Sequence, residues 1–415
     1  MNQNVKTLIA VAALGLVSWF GIYTQKIDQA SPVARVVARV FGDGLPDSPS
    51  EWRGQVDYAE LDRQLAMLSS RSEMAGLAVA VVENGKLSFV GTYGVVDKSS
   101  GTPVTPETVF RWASVSKTVT GTLAATLAGE GMLDLERPIA SWQTSLRLPG
   151  GAERQVTFAQ LLSHRTGLTK NAFDERLEDG ESPRALRAEL INAPLQCVPG
   201  TCHTYQNVAF DAASEILSKS AKRRFTDLAS ERFFLPLAMT SASYGMAGLT
   251  GATDWARPYN GMQARPMRES YWRVPAAAGV NSNVVDFARW MQAAMGERPD
   301  VLTKSELRIA QVPRVNTQRP YSGELAGALS DAQYGLGWRS FDYAGHRLAG
   351  HSGAVDGYRA TMIFDPITRN GVVAMWNSNS SKPFRIPFAV FDSYDKLAGS
   401  HWLELSNDPL KSTTE

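Results

Sequence analysis

RWASVSKTVTGTLAATLAGEG, residues 111–131, places two serines and a lysine at the start of an apolar run with helical spacing. The spacing predicts a helix over residues 113–128, with Ser114 and Lys117 on one face. A serine hydroxyl is a poor nucleophile until a base takes its proton, and a lysine is such a base when its pKa is lowered. The alternative is a capping serine beside a solvated lysine, and this short pattern alone leaves both interpretations open.

The segments on either side of this run predict a mixed α and β chain. Residues 76–97 hold two strand-like runs joined by Asn84-Gly85, a strong hairpin signal. Helix and loop patterns fill residues 133–295, and strand patterns return at 347–379 before a closing helix. This order predicts an α+β fold, an α/β sandwich whose antiparallel sheet comes from both chain ends and is flanked by helices, with an all-α lobe inserted at about 112–270.

Composition and charge exclude several function classes. The chain has 415 residues, of which 44% are hydrophobic and 20% charged, a globular composition. The formal net charge of +1 argues against a nucleic-acid partner held through phosphate contacts.

The N-terminus predicts export. Lys6 precedes about seventeen mostly apolar residues, close to the minimum for spanning a bilayer. No convincing cleavage site follows, which favours an uncleaved signal anchor over a cleaved signal peptide. The predicted organisation is an anchor or signal peptide at 1–26, a linker at 27–55, a folded domain at 56–400 and a tail at 401–415.

Cys197 and Cys202 enclose only VPGT, and an exported chain meets conditions in which disulfides persist. A disulfide whose main role is to fix local geometry is the leading interpretation, because so short a loop gives only modest entropic stabilisation. A metal site that adds His203 to the two cysteines matches no established zinc spacing.

Three short motifs together resemble those of the penicillin-recognising serine hydrolases, which include class C β-lactamases, D-alanyl-D-alanine peptidases and related esterases. SVSK at 114–117 resembles the first signature, YQN at 205–207 the Y-x-N element, and HSG at 351–353 the third motif. The segment YGLGW at 334–338 also lies where this family carries such a segment. The resemblance covers roughly residues 75–399 and implies the family's fold and its acyl transfer chemistry.

The resemblance also implies a role for each matched residue. Ser114 would be the nucleophile that forms the acyl-enzyme, Lys117 would hold or accept its proton, and Tyr205 would shuttle protons. Asn207 would donate a hydrogen bond to the substrate amide and help to hold Lys117. The remaining substrate-binding residues would be His351, Ser352 and Gly353 of the third strand, and Ala354, whose N–H would complete an oxyanion hole with that of Ser114.

The third motif bears on the substrate, since class C β-lactamases usually have K-T-G where this chain has H-S-G. A histidine there would offer only a partial positive charge to a substrate carboxylate near neutral pH. The first expectation is a β-lactamase that confers antibiotic resistance. The alternatives are a D-alanyl-D-alanine carboxypeptidase, a penicillin-binding protein or an esterase of the same fold.

Two further alternatives follow from the same residues. His203 and His351 would be candidate zinc ligands for metal-assisted β-lactam hydrolysis, but no third ligand is apparent, so no metal or other cofactor is expected. A non-catalytic cell-wall sensor is the other alternative. In each case the resemblance and the N-terminus predict a periplasmic protein, anchored to the inner membrane, that meets a small molecule or a cell-wall peptide.

Overall fold

The computed structural model describes residues 54–397 and 402–403. The predicted anchor, nearly all of the predicted linker and most of the predicted tail lie outside these residues. Where the chain is described, none of its helices combines the length and the apolar character needed to cross a bilayer. Trp402 Nε1 donates to the Tyr343 hydroxyl at 2.8 Å, so the packed domain extends past the predicted limit at residue 400.

A large antiparallel sheet forms the centre of the molecule. The strands of the described part are β1 (Gly76–Glu83), β2 (Lys86–Asp97), β3 (Thr102–Pro103), β4 (Phe110–Arg111), β5 (Ser243–Tyr244), β6 (Tyr259–Asn260), β7 (Gln263–Ala264), β8 (Val280–Ser282), β9 (Val315–Asn316), β10 (Leu329–Tyr334), β11 (Arg339–Tyr343), β12 (His346–Val355), β13 (Tyr358–Asp365) and β14 (Asn370–Trp376). The large sheet has the order β3-β2-β1-β14-β13-β12-β11-β10-β9. The two chain ends therefore meet where β1 pairs with β14.

The hairpin between β1 and β2 forms where the sequence predicts it. Asn84 has φ 49° and Gly85 has φ 79°, the two left-handed residues that a tight hairpin turn needs. β1 is buried along its whole length, because helices cover both faces of the sheet. Val79 and Val81 face one buried cluster, whereas Ala80 faces the other.

Helices form the outer layers and the inserted lobe. The α-helices of the described part are α1 (Tyr58–Ser69), α2 (Ser116–Gly129), α3 (Phe158–Leu162), α4 (Asp174–Glu178), α5 (Pro183–Glu189), α6 (Ala212–Ala221), α7 (Phe225–Ala229), α8 (Gly245–Thr250), α9 (Pro275–Ala278), α10 (Val284–Ala294), α11 (Lys304–Gln311), α12 (Gly323–Gly327) and α13 (Ile386–Asp395). On one face of the sheet, α1 and α13 share a buried cluster with Val79 and Val81. On the other face, α10 contributes Phe287 and Met291 to the main core.

The helix predicted over residues 113–128 begins slightly later. A 3₁₀ turn occupies Ala113–Val115, and α2 then runs through the core with almost all of its residues buried. A helix buried on every side carries apolar and small residues all round, which explains why its amphipathic pattern is weak.

The inserted lobe is mainly helical, as predicted, but it is not all-α, since β5, β6 and β7 lie within it and β4 and β8 lie at its two ends. β4 and β5 pair with β8 in a small three-stranded sheet, and β6 pairs with β7 in a hairpin. These strands are two or three residues long, too short to produce a periodic sequence signal.

Candidate active site

The candidate nucleophile lies on a short turn at the start of the central helix. Ser114 is the middle residue of the 3₁₀ turn Ala113–Val115, is half-buried, and lines a cleft of about 550 Å³. β12 crosses directly beside this turn, since a Cβ on Gly353 would lie 2.9 Å from Ser114 N and 2.2 Å from the Trp112 carbonyl oxygen. The glycine of the third motif therefore allows β12 to approach the serine.

The candidate base is a fully buried lysine one helical turn further on. Lys117 Nζ lies 3.4 Å from Ser114 Oγ, and donates to Asn207 Oδ1 at 2.7 Å and to the Ala277 carbonyl at 3.0 Å. Burial lowers the pKa of the Lys117 ammonium to about 7, although the Asp174 carboxylate partly opposes this effect. A substantial fraction of the amine is therefore unprotonated near neutral pH, as a proton acceptor for Ser114 must be.

Tyr205 contacts both members of this pair. Its side chain is hydrogen-bonded to Ser114, and Lys117 Nζ lies 4.7 Å from the centre of its ring. Burial raises the pKa of the Tyr205 phenol well above its usual value. The phenol therefore keeps its proton at physiological pH, which makes Lys117 the better proton acceptor and Tyr205 a proton donor.

The loop that precedes Tyr205 is held in place at two points. Cys197 and Cys202 lie at disulfide distance from each other, and their pairing stays a prediction. Arg165 Nε donates to the Gly200 carbonyl at 2.8 Å, and Gly200 N donates back to the Arg165 carbonyl at 2.7 Å. These contacts fix the turn from which the second motif begins.

Asn207 links the lysine to a carboxylate that the sequence analysis does not single out. Its Nδ2 donates to Asp174 Oδ2 at 2.7 Å, while its Oδ1 accepts from Lys117. Burial raises the pKa of the Asp174 carboxyl to about 6, and the hydrogen bond from Asn207 opposes this rise. Asn207 also lines the cleft, so its second amide hydrogen remains available to a substrate.

The histidine of the third motif belongs to a buried chain of hydrogen bonds. Gln206 N donates to His164 Nδ1 at 3.1 Å, so the neutral imidazole carries its proton on Nε2, 3.2 Å from the Tyr334 hydroxyl. That hydroxyl lies 2.9 Å from His351 Nε2, and His351 Nδ1 donates to the Ser352 carbonyl at 2.7 Å. Burial lowers the pKa of both imidazoles well below the usual value. His351 is therefore neutral. The prediction that this histidine would offer a partial positive charge is wrong.

The serine of the third motif is held by two other hydroxyl groups. Ser352 Oγ lies 2.9 Å from the Tyr321 hydroxyl and 2.9 Å from Thr361 Oγ1. Ser352 lines the cleft, as does Ala354 on the same strand. The strand therefore presents one tethered hydroxyl and its main chain to a substrate beside Ser114.

The histidine next to the second motif is a separate case. His203 lines the cleft, and its Nε2 is buried without a hydrogen-bond partner in the described part of the chain. Burial and then the charge of Arg339 lower its pKa to about 3. Within residues 54–397 and 402–403, no group of three or more His, Cys, Asp or Glu side chains is arranged to hold a metal ion.

The candidate site lies inside a span with a recognised family pattern. A sequence model of the β-lactamase family matches residues 61–389, which include all three motifs and most of the chain. The chain belongs to the β-lactamase family. This assignment agrees with the residues that the fold brings to the cleft, because the three motifs come from the 3₁₀ turn that leads into α2, the loop before α6 and β12.

Proteins that are similar in sequence to this β-lactamase family member carry several different names. It is 24% identical over 369 residues to a protein of Yersinia enterocolitica named β-lactamase, covering 81% of this chain and 90% of that protein. It is 26% identical over 365 residues to an Aspergillus violaceofuscus protein named unguisins hydrolase, covering 79% of this chain and 62% of the relative. It is also 23% identical over 328 residues to protein flp of Staphylococcus aureus, covering 77% of this chain and 63% of the relative. The chain thus spans less than two thirds of the latter two relatives.

A solved structure supports the fold. The octameric penicillin-binding protein homologue from Pyrococcus abyssi superposes with a TM-score of 0.72 at 20% sequence identity. The match covers 81% of this chain and 77% of the other. The sandwich with an inserted helical lobe is therefore the architecture that both proteins share.

The positively charged side chain of Arg339, which lies outside the three motifs, lines the cleft of this family member. Arg339 begins β11, directly after the YGLGW segment, and its guanidinium lies 5.7 Å from the Tyr205 ring centre and 5.2 Å from that of Tyr334. Its charge contributes to the lowered pKa of His351. Near the third motif, Arg339 therefore carries the positive charge that was expected of the histidine.

Proposed function

We propose that this protein is a serine hydrolase that opens β-lactam amides through an acyl-enzyme on Ser114. The observation that carries the proposal is the contact of 3.4 Å between Ser114 Oγ and the buried Lys117 amine, whose pKa is about 7. A lysine in this state accepts a proton from a serine hydroxyl near neutral pH, which an exposed lysine does not.

Acylation follows from these positions. Lys117 takes the proton of Ser114 as Oγ forms a bond to the carbonyl carbon, and the carbonyl π electrons move onto oxygen. The N–H groups of Ser114 and Ala354 would stabilise this oxyanion. As the tetrahedral intermediate collapses, the C–N bond breaks and Tyr205 donates its proton to the leaving nitrogen. Lys117 then returns a proton to Tyr205, and the acyl group remains on Ser114.

Deacylation uses the same groups. A water molecule attacks the acyl carbonyl and gives up a proton to the free amine of Lys117, either directly or through Tyr205. The bond from the carbonyl carbon to Ser114 Oγ then breaks, and the serine recovers its proton. Release of the acid restores the starting protonation states, so the cycle needs no further reactant except water.

The substrate carboxylate would be held by charge. Arg339 lines the cleft close to β12, and the neutral His351 and the tethered Ser352 add polar contacts beside it. A guanidinium pairs with a carboxylate more strongly than a neutral imidazole does. We therefore propose that Arg339 replaces the lysine charge of the K-T-G motif.

A second candidate function is cleavage of D-alanyl peptides or esters, as in a D-alanyl-D-alanine carboxypeptidase or a penicillin-binding protein. The observation that favours it is the third motif H-S-G with a neutral His351, which departs from the lysine form of class C β-lactamases. The names of the relatives, which include hydrolase and flp as well as β-lactamase, are compatible with either function.

Time-resolved intact mass spectrometry separates the two functions. The full chain is mixed with a penicillin, beside the Ser114→Ala variant. A β-lactamase gives an adduct that decays while hydrolysed penicillin accumulates, whereas a carboxypeptidase or a cell-wall sensor keeps the adduct. Hydrolysis without any adduct, abolished by a chelator, would favour zinc at His203 and His351 instead. An adduct on Ser114→Ala would show that the nucleophile is another residue.

The place of action is also a proposal. The apolar N-terminus would carry the domain into the periplasm and hold it at the inner membrane, where β-lactams and cell-wall peptides are both found. Protease accessibility of the domain in spheroplasts, compared with that in lysed cells, tests this location.

A further inference from the structure

The side-chain amide of Asn207 is oriented by its two neighbours. Its oxygen accepts from Lys117 Nζ at 2.7 Å, and its nitrogen donates to Asp174 Oδ2 at 2.7 Å. An ammonium group only donates hydrogen bonds, and an ionised carboxylate only accepts them. The amide therefore has one favoured orientation while Lys117 is protonated. A neutral amine can also accept a hydrogen bond, so Asp174 is the group that excludes the reversed orientation when Lys117 is the free base.

Asp174 lies in an environment that does not favour a charge. It is the first residue of α4, and only 6% of it is exposed. Oδ2 also accepts from the Tyr271 hydroxyl at 3.4 Å, but Oδ1 is buried without a hydrogen-bond partner in the described part of the chain. An unsatisfied buried carboxylate oxygen reduces stability, so packing alone does not account for an aspartate here.

We infer that Asp174 is a positioning residue that holds the Asn207 amide with its oxygen on Lys117 and sets a negative charge one side chain away from this base. The inference rests on the proposed role of Lys117 as the proton acceptor. It extends the constellation of the three motifs to a residue 33 positions before Asn207 in the sequence.

The charges around both groups give the inference a direction. Burial lowers the pKa of the Lys117 ammonium. The carboxylates of Asp174 and Asp211 oppose this effect, whereas the positive charge of Arg339 adds to it. The groups that act on Asp174 are Asn207, Lys117, Tyr271 and Glu178. Since the pKa of Asp174 is about 6 and that of Lys117 about 7, the carboxylate is mostly ionised where the lysine titrates. Removing the charge of Asp174 must therefore lower the pKa of Lys117.

The test compares Asp174→Asn with Glu178→Gln in the full chain. Both changes remove a carboxylate from α4 with little change of shape, but Glu178 is exposed and contacts Tyr271 instead of Asn207. The first readout is a direct titration of Lys117 by NMR on lysine labelled at Cε, assigned with Lys117→Arg. Asp174→Asn is expected to lower the titration midpoint by about one pH unit, whereas Glu178→Gln leaves it near that of the wild type.

The second readout is the pH profile of acylation, by a penicillin or by an activated ester. In Asp174→Asn the acid limb of the acylation profile is expected to move to lower pH together with the titration midpoint of Lys117. The plateau rate is expected to fall about tenfold, because the Asn207 amide can reverse. A folded Asp174→Asn protein with an unmoved Lys117 midpoint would overturn the inference, whatever its activity. If the midpoint moves but neither probe acylates the wild type, the positioning role stands and the proposed function fails.

Discussion

The Tyr334 hydroxyl lies 2.9 Å from His351 Nε2 and 3.2 Å from His164 Nε2. This phenol therefore joins the third motif to the loop that contains His164. The carbonyl of His164 in turn accepts a hydrogen bond from Thr204 N at 2.9 Å, just before the second motif. In such a chain each ring has a fixed tautomer and no charge. The histidine of H-S-G is thus a structural link between two motifs, and we propose that Arg339 is the group that contacts an anionic substrate.

Tyr334→Phe should destabilise the protein. The change leaves the Nε2 atoms of His164 and His351 buried without a partner, so the free energy of unfolding is expected to fall by about 2 to 4 kcal/mol. Urea denaturation measures the change. Tyr394→Phe is the matched control, since Tyr394 packs against the outer core and makes no side-chain hydrogen bond within the described residues. Equal losses in the two variants would contradict the prediction.

Arg339→Gln should impair anionic substrates selectively. Loss of a charge-assisted contact to a carboxylate is expected to lower kcat/KM for a penicillin by about 10- to 100-fold, mainly through KM. An uncharged ester should be hydrolysed almost as before. Arg308→Gln, on the exposed side of α11, controls for the loss of a positive charge. An equal effect on penicillin and ester would assign Arg339 to general positioning instead.

The pH profile of the wild type should report on Lys117. The free amine is the active form, so kcat/KM is expected to rise with pH through about 7 and then reach a plateau. Lys117→Arg stays protonated and should lose about 10²- to 10⁴-fold. Lys86→Arg, an exposed hairpin position, is the control. A fully active Lys117→Arg enzyme would show that another group takes the proton.

The sequence predicts those parts of the site that lie in contiguous motifs. Ser114 with Lys117, and Tyr205 with Asn207, are each found within four residues, and the antiparallel sheet follows from strand signals at both ends of the chain. Their roles stay predictions, but the structure does bring them into one cleft.

Asp174 and Arg339 could not be predicted in the same way. Each is a single charged residue outside the three motifs, and what gives it importance is a neighbour far away in sequence. Asp174 meets Asn207 across 33 positions, and Arg339 approaches the ring of Tyr205. The neutral state of His351 likewise depends on burial by the whole fold, which a motif does not encode.

The pair Cys197 and Cys202 should be oxidised in the purified protein and should support Tyr205. The prediction is that no thiol reacts with a maleimide before reduction, as read by intact mass. Replacing both cysteines by serine is expected to lower the free energy of unfolding by about 2 kcal/mol and to lower kcat, because the turn before Tyr205 is loosened. Two reactive thiols in the purified, unreduced protein would contradict the pairing.

Gly353→Ala should separate the nucleophile from the third strand. An added Cβ would lie 2.2 Å from the Trp112 carbonyl oxygen and 2.9 Å from Ser114 N, so β12 has to move away from the serine. A displacement of about 1 Å is expected to cost about 10²-fold in the acylation rate, because the oxyanion contacts are lost together. Gly327→Ala is the matched control, since a Cβ there would have no atom within 4 Å. Stopped-flow measurement of the acylation rate of both variants tests the effect, after a thermal melt has shown that both are folded. If Gly353→Ala is acylated as fast as Gly327→Ala, acylation does not depend on the contact between β12 and Ser114.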